Sequence, residues 1–202
     1  MKLYYAPGAC SMAPHIVLRE AGFKFDLEKV DIPNKKTEGG DDFWNINYKG
    51  YVPALKLDDG QVLTEVGVIC QYVADQKPES GLTPKFGTME RYRQMELLNF
   101  AATEIHKQIG ALFNPAMTPA MKEVQLAVIE RRLNTLEKSL DGKQYSMGVK
   151  FSAADAYLFT VLNWTNIHKI DLAKWPNIKG FMARVGARPA VQETLKAEGL
   201  HK

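Results

Sequence analysis

A cysteine lies where the first strand-like segment of the chain gives way to the first helix-like one. Lys2–Ala6 is a short β-prone run, Pro7-Gly8 signals a turn, and Cys10 and Ser11 stand directly before a helical pattern. Backbone amides at a helix N-terminus have no partner within the helix, and the helix dipole favours negative charge there. A thiol in this position becomes more acidic, as does a foreign thiolate bound nearby. The position therefore predicts thiol chemistry, with an inert Cys10 beside an N-cap Ser11 as the alternative.

The surroundings of this cysteine narrow the kind of chemistry. Position 13 is Ala13, so the second cysteine of a C-x-x-C motif is missing and dithiol exchange is disfavoured. The other cysteine, Cys70, falls among apolar residues of a later helix and is predicted to be an inert core residue. Two distant cysteines form no disulfide framework, so a cytoplasmic location is expected.

Two further segments of the N-terminal half could bind an extended peptide. Val52-Pro53 precedes a strand, and a cis bond there would turn the backbone of Val52 outward, where it can pair with a peptide ligand. The alternative is an ordinary trans proline at a strand start. Glu65 and Val66 open a helix whose amides can bind a carboxylate while the Glu65 side chain binds an ammonium group. The alternative there is an acid favoured by a first helical turn.

A histidine on the longest helical pattern is a candidate hydrogen-bond donor to a thiolate. His106 lies beside an apolar stripe and above Asn99 and Thr103 at helical spacing. Its imidazole titrates near neutrality and can donate a hydrogen bond. The alternative is a surface histidine with satisfied hydrogen bonds. For His15, on the first helix, we expect a structural hydrogen bond.

The N-terminal segment that must position these residues alternates strands and helices. Its predicted elements are Lys2–Ala6, Ser11–Ala21, Phe25–Asp31, Asp41–Asn47, Ala54–Leu57, Val62–Thr64 and Glu65–Gln76. The strand–helix–strand start implies a right-handed crossover and a parallel pair, and the Asp59-Gly60 turn implies a hairpin. An α/β domain with a mixed sheet is therefore predicted for residues 1–78.

The rest of the chain has helical periodicity, which predicts an all-α domain over 88–202 after a Pro- and Gly-rich linker at 79–87. The apolar stripe of the longest helix consists of Met95, Leu98, Ala102, Ile105, Ile109 and Leu112. The predicted inward positions within 120–140 are Val124, Ala127, Val128 and Leu136. Ala153–Ile167 is nearly all apolar and is predicted to be the central buried helix, with Ser152 and Asp155 forming a start that resembles a capping box. Two shorter helices are predicted at Ile178–Ala187 and Ala190–Ala197.

Composition excludes several classes of function. The chain has 202 residues, of which 46% are hydrophobic and 24% charged, as in a globular protein with a buried core. A net charge of +3 without a dense Lys/Arg stripe disfavours a nucleic-acid partner. No apolar run reaches about 18 residues and no signal-peptide core is present, so no membrane partner is expected. The histidines are scattered, which predicts no metal site.

Together and in order, these segments resemble the glutathione S-transferases, specifically the bacterial beta class. The resemblance spans the whole chain and rests on YYAPGACSMAPHIVLRE, GYVPALKLDDG, LTEVGVICQYVAD, NFAATEIHK, FSAADAYLFTVL and RPAVQETLKAEGL. It implies an α/β thioredoxin-like N-terminal domain joined to an all-α C-terminal domain. It also implies a cytoplasmic homodimer that binds glutathione as co-substrate in a cleft and a small hydrophobic electrophile in the helical domain.

Carried over position by position, the resemblance gives each candidate residue a role toward glutathione. Cys10 would lie beside the glutathione sulfur with Ser11 and Tyr5 near it, and His106 would approach from the helical domain. Val52 would pair with the cysteinyl backbone. The other implied binding positions are a cis Pro53, Glu65 and Val66 at the γ-glutamyl end, Lys35 and Lys107 toward the carboxylates, and Asn99, Thr103 and Glu104 near the ligand, with Glu104 reaching across the dimer. Val66 departs from the Ser or Gly common in the family, so a hydroxyl contact would be lost while the backbone amide remains.

The implied activity is attack of the glutathione thiolate on an electrophilic carbon, as in detoxification. A free thiol has a pKa of about 8.5, so lowering it by two units needs about 2.7 kcal/mol in favour of the anion. Helix amides and hydrogen bonds from Ser11, Cys10 or His106 could jointly supply this. Two alternatives stay open: disulfide exchange through a mixed disulfide at Cys10, and non-catalytic carriage of apolar ligands. The candidate residues for the electrophile site, which core packing explains equally well, are Phe113, Met117, Tyr157 and Trp164.

Overall fold

The computed structural model describes residues 1–200, and contacts divide the chain into two compact units. The first unit comprises Met1–Thr83 together with the chain from Arg188 onward, and the second unit comprises Pro84–Ala187. The helices and strands, in chain order, are β1 (Lys2–Tyr5), α1 (Met12–Glu20), β2 (Asp26–Asp31), β3 (Lys36–Thr37), β4 (Ala54–Lys56), β5 (Val62–Thr64), α2 (Val66–Gln76), α3 (Met89–Phe100), a π-helical turn (Ala101–His106), α4 (Lys107–Gly110), α5 (Pro119–Ser139), α6 (Ala153–Ile167), α7 (Pro176–Gly186) and α8 (Pro189–Ala197). Short 3-10 turns lie at Phe43–Asn45, Pro78–Ser80, Ala111–Phe113 and Leu172–Lys174.

The last helix is what makes the first unit discontinuous. Helix α8 packs against α1, so contacts group the C-terminal segment with the N-terminal residues. The units defined by contacts therefore differ from the predicted ranges 1–78, 79–87 and 88–202, mainly because the chain from Arg188 onward belongs to the first unit. The assignment of a function to each of those ranges stays a prediction.

A five-stranded mixed sheet forms the centre of the first unit, in the order β3-β2-β1-β4-β5. Strand β1 runs parallel to β2 and antiparallel to β4, and the two remaining pairs are antiparallel. The predicted parallel pair and the predicted hairpin are both present, and with them the thioredoxin-like fold. Leu3 pairs with Leu27 on one side and Leu55 on the other, and its side chain is fully buried. Strand β3 escaped prediction because its two residues carry no alternating pattern.

Apolar side chains from the helices and strands of the first unit pack together into its core. One core cluster consists of Tyr4, Ala6, Val30, Phe43, Val52 and Ala54. Helix α1 is buried from Met12 through Leu18, and it packs against α2. Cys70 of α2 is fully buried and unbonded to another cysteine, as predicted for a core residue. Burial raises the pKa of its thiol far above the usual range, so this thiol stays protonated.

The second unit is helical, and its centre is α6. Twelve of its fifteen residues are buried, as predicted for the central helix. The capping-box prediction is also confirmed: the Asp155 carboxylate accepts the Ser152 amide and hydroxyl, each at 2.7 Å. It also accepts the Ser146 amide at 2.7 Å. Burial raises the pKa of Asp155, and these hydrogen bonds oppose that rise.

The longest helical run, residues 89–113, buries the predicted stripe at Leu98, Ile105 and Ile109 but departs from it at its N-terminal end. The buried positions are Arg91, Gln94, Leu98, Ala101, Ile105 and Ile109. Met95 is exposed, so its predicted inward position is wrong. Two of the buried residues, Arg91 and Gln94, are polar. A prediction from hydrophobic periodicity passes over polar residues, so it chose the apolar neighbour Met95 instead.

Helix α5 shows a similar error at its N-terminal end. Val124 is 67% exposed and Ala127 is exposed as well, so both predicted inward positions are wrong. Leu136 is buried, as predicted, together with Ile129 and Leu133. Only the C-terminal half of this helix is covered, so apolar residues in the first half face outward. Within residues 1–200, no helix is both long enough and apolar enough to cross a membrane.

Candidate active site

The loop before α1 is closed on itself by hydrogen bonds. The amide of Ala9 donates to the carbonyl of Ala6 at 3.1 Å, and the amide of Met12 donates to Ala9 at 3.0 Å. The Ser11 hydroxyl donates to the Ala6 carbonyl at 3.2 Å and accepts the Ala6 amide at 3.1 Å. Ser11 is fully buried, so its hydroxyl serves the loop. This loop fixes the backbone on both sides of Cys10.

The thiol of Cys10 points toward the segment that the sequence predicted to bind a peptide. Its Sγ donates to the carbonyl oxygen of Val52 at 3.3 Å. The Val52–Pro53 peptide bond is cis, as predicted. Two predicted site features that lie 42 residues apart in the sequence are therefore in contact. Cys10 is itself half-buried, so the thiol remains accessible from one side.

Tyr5, the last residue of β1, lies near the same loop. Its ring is 6.1 Å from the ring of His15, in a tilted arrangement. Burial raises the pKa of the Tyr5 phenol above its ordinary value, and the charge of Glu198 contributes. The phenol is therefore protonated throughout the neutral range.

A buried polar cluster ties the Cys10 loop to the C-terminal end of α8. Glu198 accepts the amide of Gly8 at 2.9 Å through Oε2, and its Oε1 lies 2.8 Å from His15 Nδ1. The Arg19 guanidinium donates to His15 Nε2 at 3.0 Å. Since Nε2 accepts, Nδ1 carries the proton and donates it to Glu198. His15 is fully buried and has the structural role predicted for it.

Glu65, the residue before α2, has an unusual backbone and a charged neighbour. Its φ is 71°, in the left-handed region that side chains other than glycine rarely adopt. Its Oε1 accepts the Lys49 ammonium at 2.6 Å and the Tyr51 hydroxyl at 2.9 Å. Lys49 also donates to the Thr64 hydroxyl at 3.0 Å. The hydrogen bond to Glu65 raises the pKa of Lys49, so the ammonium form is favoured.

Lys35 and Val66 complete the predicted positions in the first unit. The Lys35 ammonium donates to the Gly50 carbonyl at 2.6 Å and lies 5.6 Å from the centre of the Trp44 ring. Gly50 has a φ of 67°, and a Cβ there would overlap the Trp44 ring. Val66 is buried as the first residue of α2, so only its backbone is suited to a ligand.

The remaining predicted residues lie in the second unit, on the run from α3 to α4. Asn99, Thr103 and Lys107 are exposed at steps of four residues, and Thr103 donates to the Asn99 carbonyl at 3.1 Å. Glu104 forms an ion pair with Arg132 of the same chain at 2.6 Å. His106 ends the π-helical turn, and its Nδ1 lies 2.7 Å from the Tyr157 hydroxyl.

Sequence reasoning missed three groups that the structure connects with these residues. Lys49 and Tyr51 contact Glu65 from 16 and 14 residues away, and Glu198 contacts Gly8 across 190 residues. None stands in a motif with its partner, so spacing carried no signal. Among residues 1–200, no cluster of three or more His, Cys, Asp or Glu side chains is arranged to hold a metal ion.

Comparisons with known proteins agree with this architecture. The glutathione S-transferase N-terminal domain family matches residues 1–75, and the glutathione S-transferase C-terminal domain family matches residues 100–189. The chain is 46% identical to glutathione S-transferase GstA of Escherichia coli O157:H7, over 99% of this chain and 100% of that protein.

Two solved structures are similar over nearly the whole length. The beta-class glutathione S-transferase of Sphingomonas chungbukensis has 46% identity and a TM-score of 0.95, covering 99% of this chain and 100% of that one. A sphingomonad glutathione S-transferase complexed with glutathione has 45% identity and a TM-score of 0.95, with the same coverage. These relatives support glutathione conjugation and do not favour disulfide exchange or ligand carriage. By fold, by domain families and by full-length identity, the chain belongs to the bacterial beta class of the glutathione S-transferase family, enzymes that use glutathione as co-substrate.

Proposed function

We propose that this transferase conjugates glutathione to small hydrophobic electrophiles in the cytoplasm and serves in detoxification, with Cys10 and His106 acting on the glutathione thiol. The thiol loses its proton to solvent, and a sulfur electron pair forms the new carbon–sulfur bond. The bond from that carbon to its leaving group, such as chloride, breaks, and the leaving group departs with the bonding pair. The protein's task is to favour the thiolate over the thiol.

The observation that carries this proposal is the 3.3 Å contact between Cys10 Sγ and the Val52 carbonyl. A peptide that pairs with the backbone of Val52 brings its own cysteinyl residue beside Cys10. The Cys10 thiol then exchanges its carbonyl acceptor for the incoming sulfur anion, a stronger acceptor because it is charged. Tyr5 stays a protonated neighbour, and Ser11 acts by holding the loop.

We propose that the charged groups of glutathione bind to groups beside this contact. Glu65 receives the γ-glutamyl ammonium, and the amide of Val66 binds the adjacent carboxylate at the start of α2. Lys35, whose ammonium already lies at a backbone carbonyl, binds the other carboxylate. Pro53 shapes the backbone that presents Val52.

The polar residues on the run from α3 to α4 in the second unit are proposed to contact glutathione as well. His106 donates a hydrogen bond to the thiolate, and Lys107 binds a carboxylate. Asn99 and Thr103 supply exposed polar groups four residues apart. Glu104 is proposed to reach a second copy of the chain, in exchange for its ion pair with Arg132.

The electrophile and the dimer are also proposals. Phe113 is 48% exposed and its ring lies edge-on to Trp164 at 5.4 Å, which suits an aromatic electrophile. Met89, Tyr92 and Met95 are exposed along α3 of the single chain, an apolar strip that a second copy would cover.

The test is glutathione conjugation to chlorodinitrobenzene by the wild type, Cys10→Ala and Cys10→Ser. Loss of one hydrogen bond to a charged group costs about 2 kcal/mol, so we expect Cys10→Ala to lower kcat about thirtyfold. Cys10→Ser keeps a donor at the same place and is the matched control, with kcat within a few-fold of the wild type. Equal kcat in all three proteins would remove Cys10 from the reaction. Loss of activity in Tyr5→Phe alone would move the role to the phenol.

A further inference from the structure

The imidazole of His106 is held by groups of α6 and α4, all within the second unit. Its Nδ1 lies 2.7 Å from the Tyr157 hydroxyl, and the two rings meet edge to face at 5.8 Å and 82°. The Trp164 ring meets the imidazole at 5.0 Å and 74°. Gly110 lies close to both rings, since a Cβ there would lie 3.6 Å from His106 Cδ2 and 3.6 Å from Trp164 Cζ3. The ring plane of His106 is therefore fixed by its neighbours.

The backbone supports the same arrangement. His106 is the last residue of the π-helical turn, and that turn packs against α6. Tyr157 and Trp164 are seven residues apart on α6, so they share one face of that helix. Both are buried, with exposures of 2% and 5%. Turns of this type within α-helices occur frequently at functional sites.

The chemistry of the two partners sets the direction of the hydrogen bond. A phenol is a good donor, and the lone pair of an imidazole nitrogen is a good acceptor, whereas the reverse pairing uses a weaker acceptor. This favours donation from the Tyr157 hydroxyl to Nδ1 of His106, which lie 2.7 Å apart. A neutral imidazole that accepts at Nδ1 carries its proton on Nε2.

We propose that Tyr157 is a positioning residue that holds His106 in the neutral tautomer protonated at Nε2. This gives His106 a fixed donor for the glutathione thiolate, so it stabilises the anion without acting as a base. The inference rests on the proposed role of His106 in conjugation. In this role Tyr157 acts through the imidazole, and its side chain is only 2% exposed, which favours this role over the electrophile-site position considered for it from the sequence.

The direct test is the tautomer of His106 in the glutathione-free enzyme, read from the ring ¹⁵N chemical shifts by NMR. We expect the wild type to show the proton on Nε2 and Tyr157→Phe to show a mixture of both tautomers. Tyr48→Phe makes the same change in the first unit, at a side chain that is 82% exposed, and should leave the spectrum unchanged. A wild-type proton on Nδ1, or an unchanged tautomer in Tyr157→Phe, would overturn the proposal.

Kinetics provide the second measurement. Loss of one neutral hydrogen bond should lower kcat of Tyr157→Phe about fivefold, with KM for glutathione nearly unchanged. His106→Gln places an amide donor near the Nε2 position and should keep more activity than His106→Asn, whose amide lies near Nδ1. Equal losses in these two variants would contradict a donor at Nε2. Unchanged kcat in both His106 variants would instead refute the proposed role of His106, while the NMR result on the tautomer would stand.

Discussion

Glu65 shows how a residue acquires its role from partners that are distant in the sequence. The motif around it predicted a ligand for an ammonium group, and in the structure its carboxylate already holds one, that of Lys49. The residue also has a positive φ, which costs about 1–3 kcal/mol for a side chain other than glycine. The contacts from Lys49 and Tyr51 help hold this conformation. The sequence predicted the carboxylate but not the cation, since the two belong to different segments.

At the scale of this residue, we expect Lys49→Met to improve glutathione binding. If Glu65 receives the γ-glutamyl ammonium, the Lys49 ammonium competes with it for the same oxygen. The pair is partly exposed and worth less than about 1 kcal/mol, so KM for glutathione should fall about threefold with kcat unchanged. Initial-rate kinetics at several glutathione concentrations measure this.

Tyr51→Phe is the control for this prediction. It removes a neutral donor from the same oxygen and leaves the competing charge in place. We expect a smaller change in KM than for Lys49→Met. A higher KM in Lys49→Met would show that Lys49 orients Glu65 for the ligand and does not compete with it.

At the scale of elements, the buried face of a helix was predicted correctly where it is almost wholly apolar. It was predicted wrongly where polar and apolar residues share it. Helix α6 is apolar almost throughout, so its position and burial were predicted. The buried stripe of α3 includes Arg91 and Gln94, which a hydrophobic pattern cannot mark. The π-helical turn before His106 also has no signal in the sequence, because its backbone depends on packing against α6. The family resemblance implied that Cys10 and Val52 each lie near glutathione, but the hydrogen bond between them was not predicted.

The capping box of α6 gives an element-scale prediction. Asp155→Ala leaves the buried amides of Ser146 and Ser152 without their acceptor, and each unsatisfied buried group costs about 1–3 kcal/mol. We expect a loss of about 3 kcal/mol in the free energy of unfolding, measured by urea denaturation. Asp171→Ala, which removes an exposed cap from a 3-10 turn, is the matched control and should cost much less. A similar loss in both variants would contradict a special role for the α6 box.

At the scale of the whole chain, both ends of the sequence contribute to the first unit. The buried Glu198 carboxylate joins them through its hydrogen bonds to His15 and to the Gly8 amide. Arg188 adds a bidentate ion pair with Glu20 at 2.6 and 2.8 Å. The side chains that hold the Cys10 loop therefore come both from its direct neighbour, Ser11, and from Glu198, near the other end of the sequence.

The corresponding prediction concerns Glu198→Gln. Glutamine keeps the shape but has one acceptor oxygen, so either the Gly8 amide or the His15 ring loses its partner. We expect stability to fall by about 2 kcal/mol and KM for glutathione to rise. Glu193→Gln changes an exposed acid on the same helix and should alter neither quantity. An unchanged KM in Glu198→Gln would mean that the loop keeps its shape without α8.

The discontinuous first unit has a consequence for how the protein is made. A ribosome releases the strands of the sheet and the Cys10 loop early, but Glu198 leaves the exit tunnel only after the entire second unit. Until then Gly8 and His15 lack their buried acceptor, and the nascent sheet lacks the helix that packs against α1. Glutathione conjugation should therefore appear late in synthesis, and nascent chains stalled before Glu198 should be far more sensitive to proteases than finished ones.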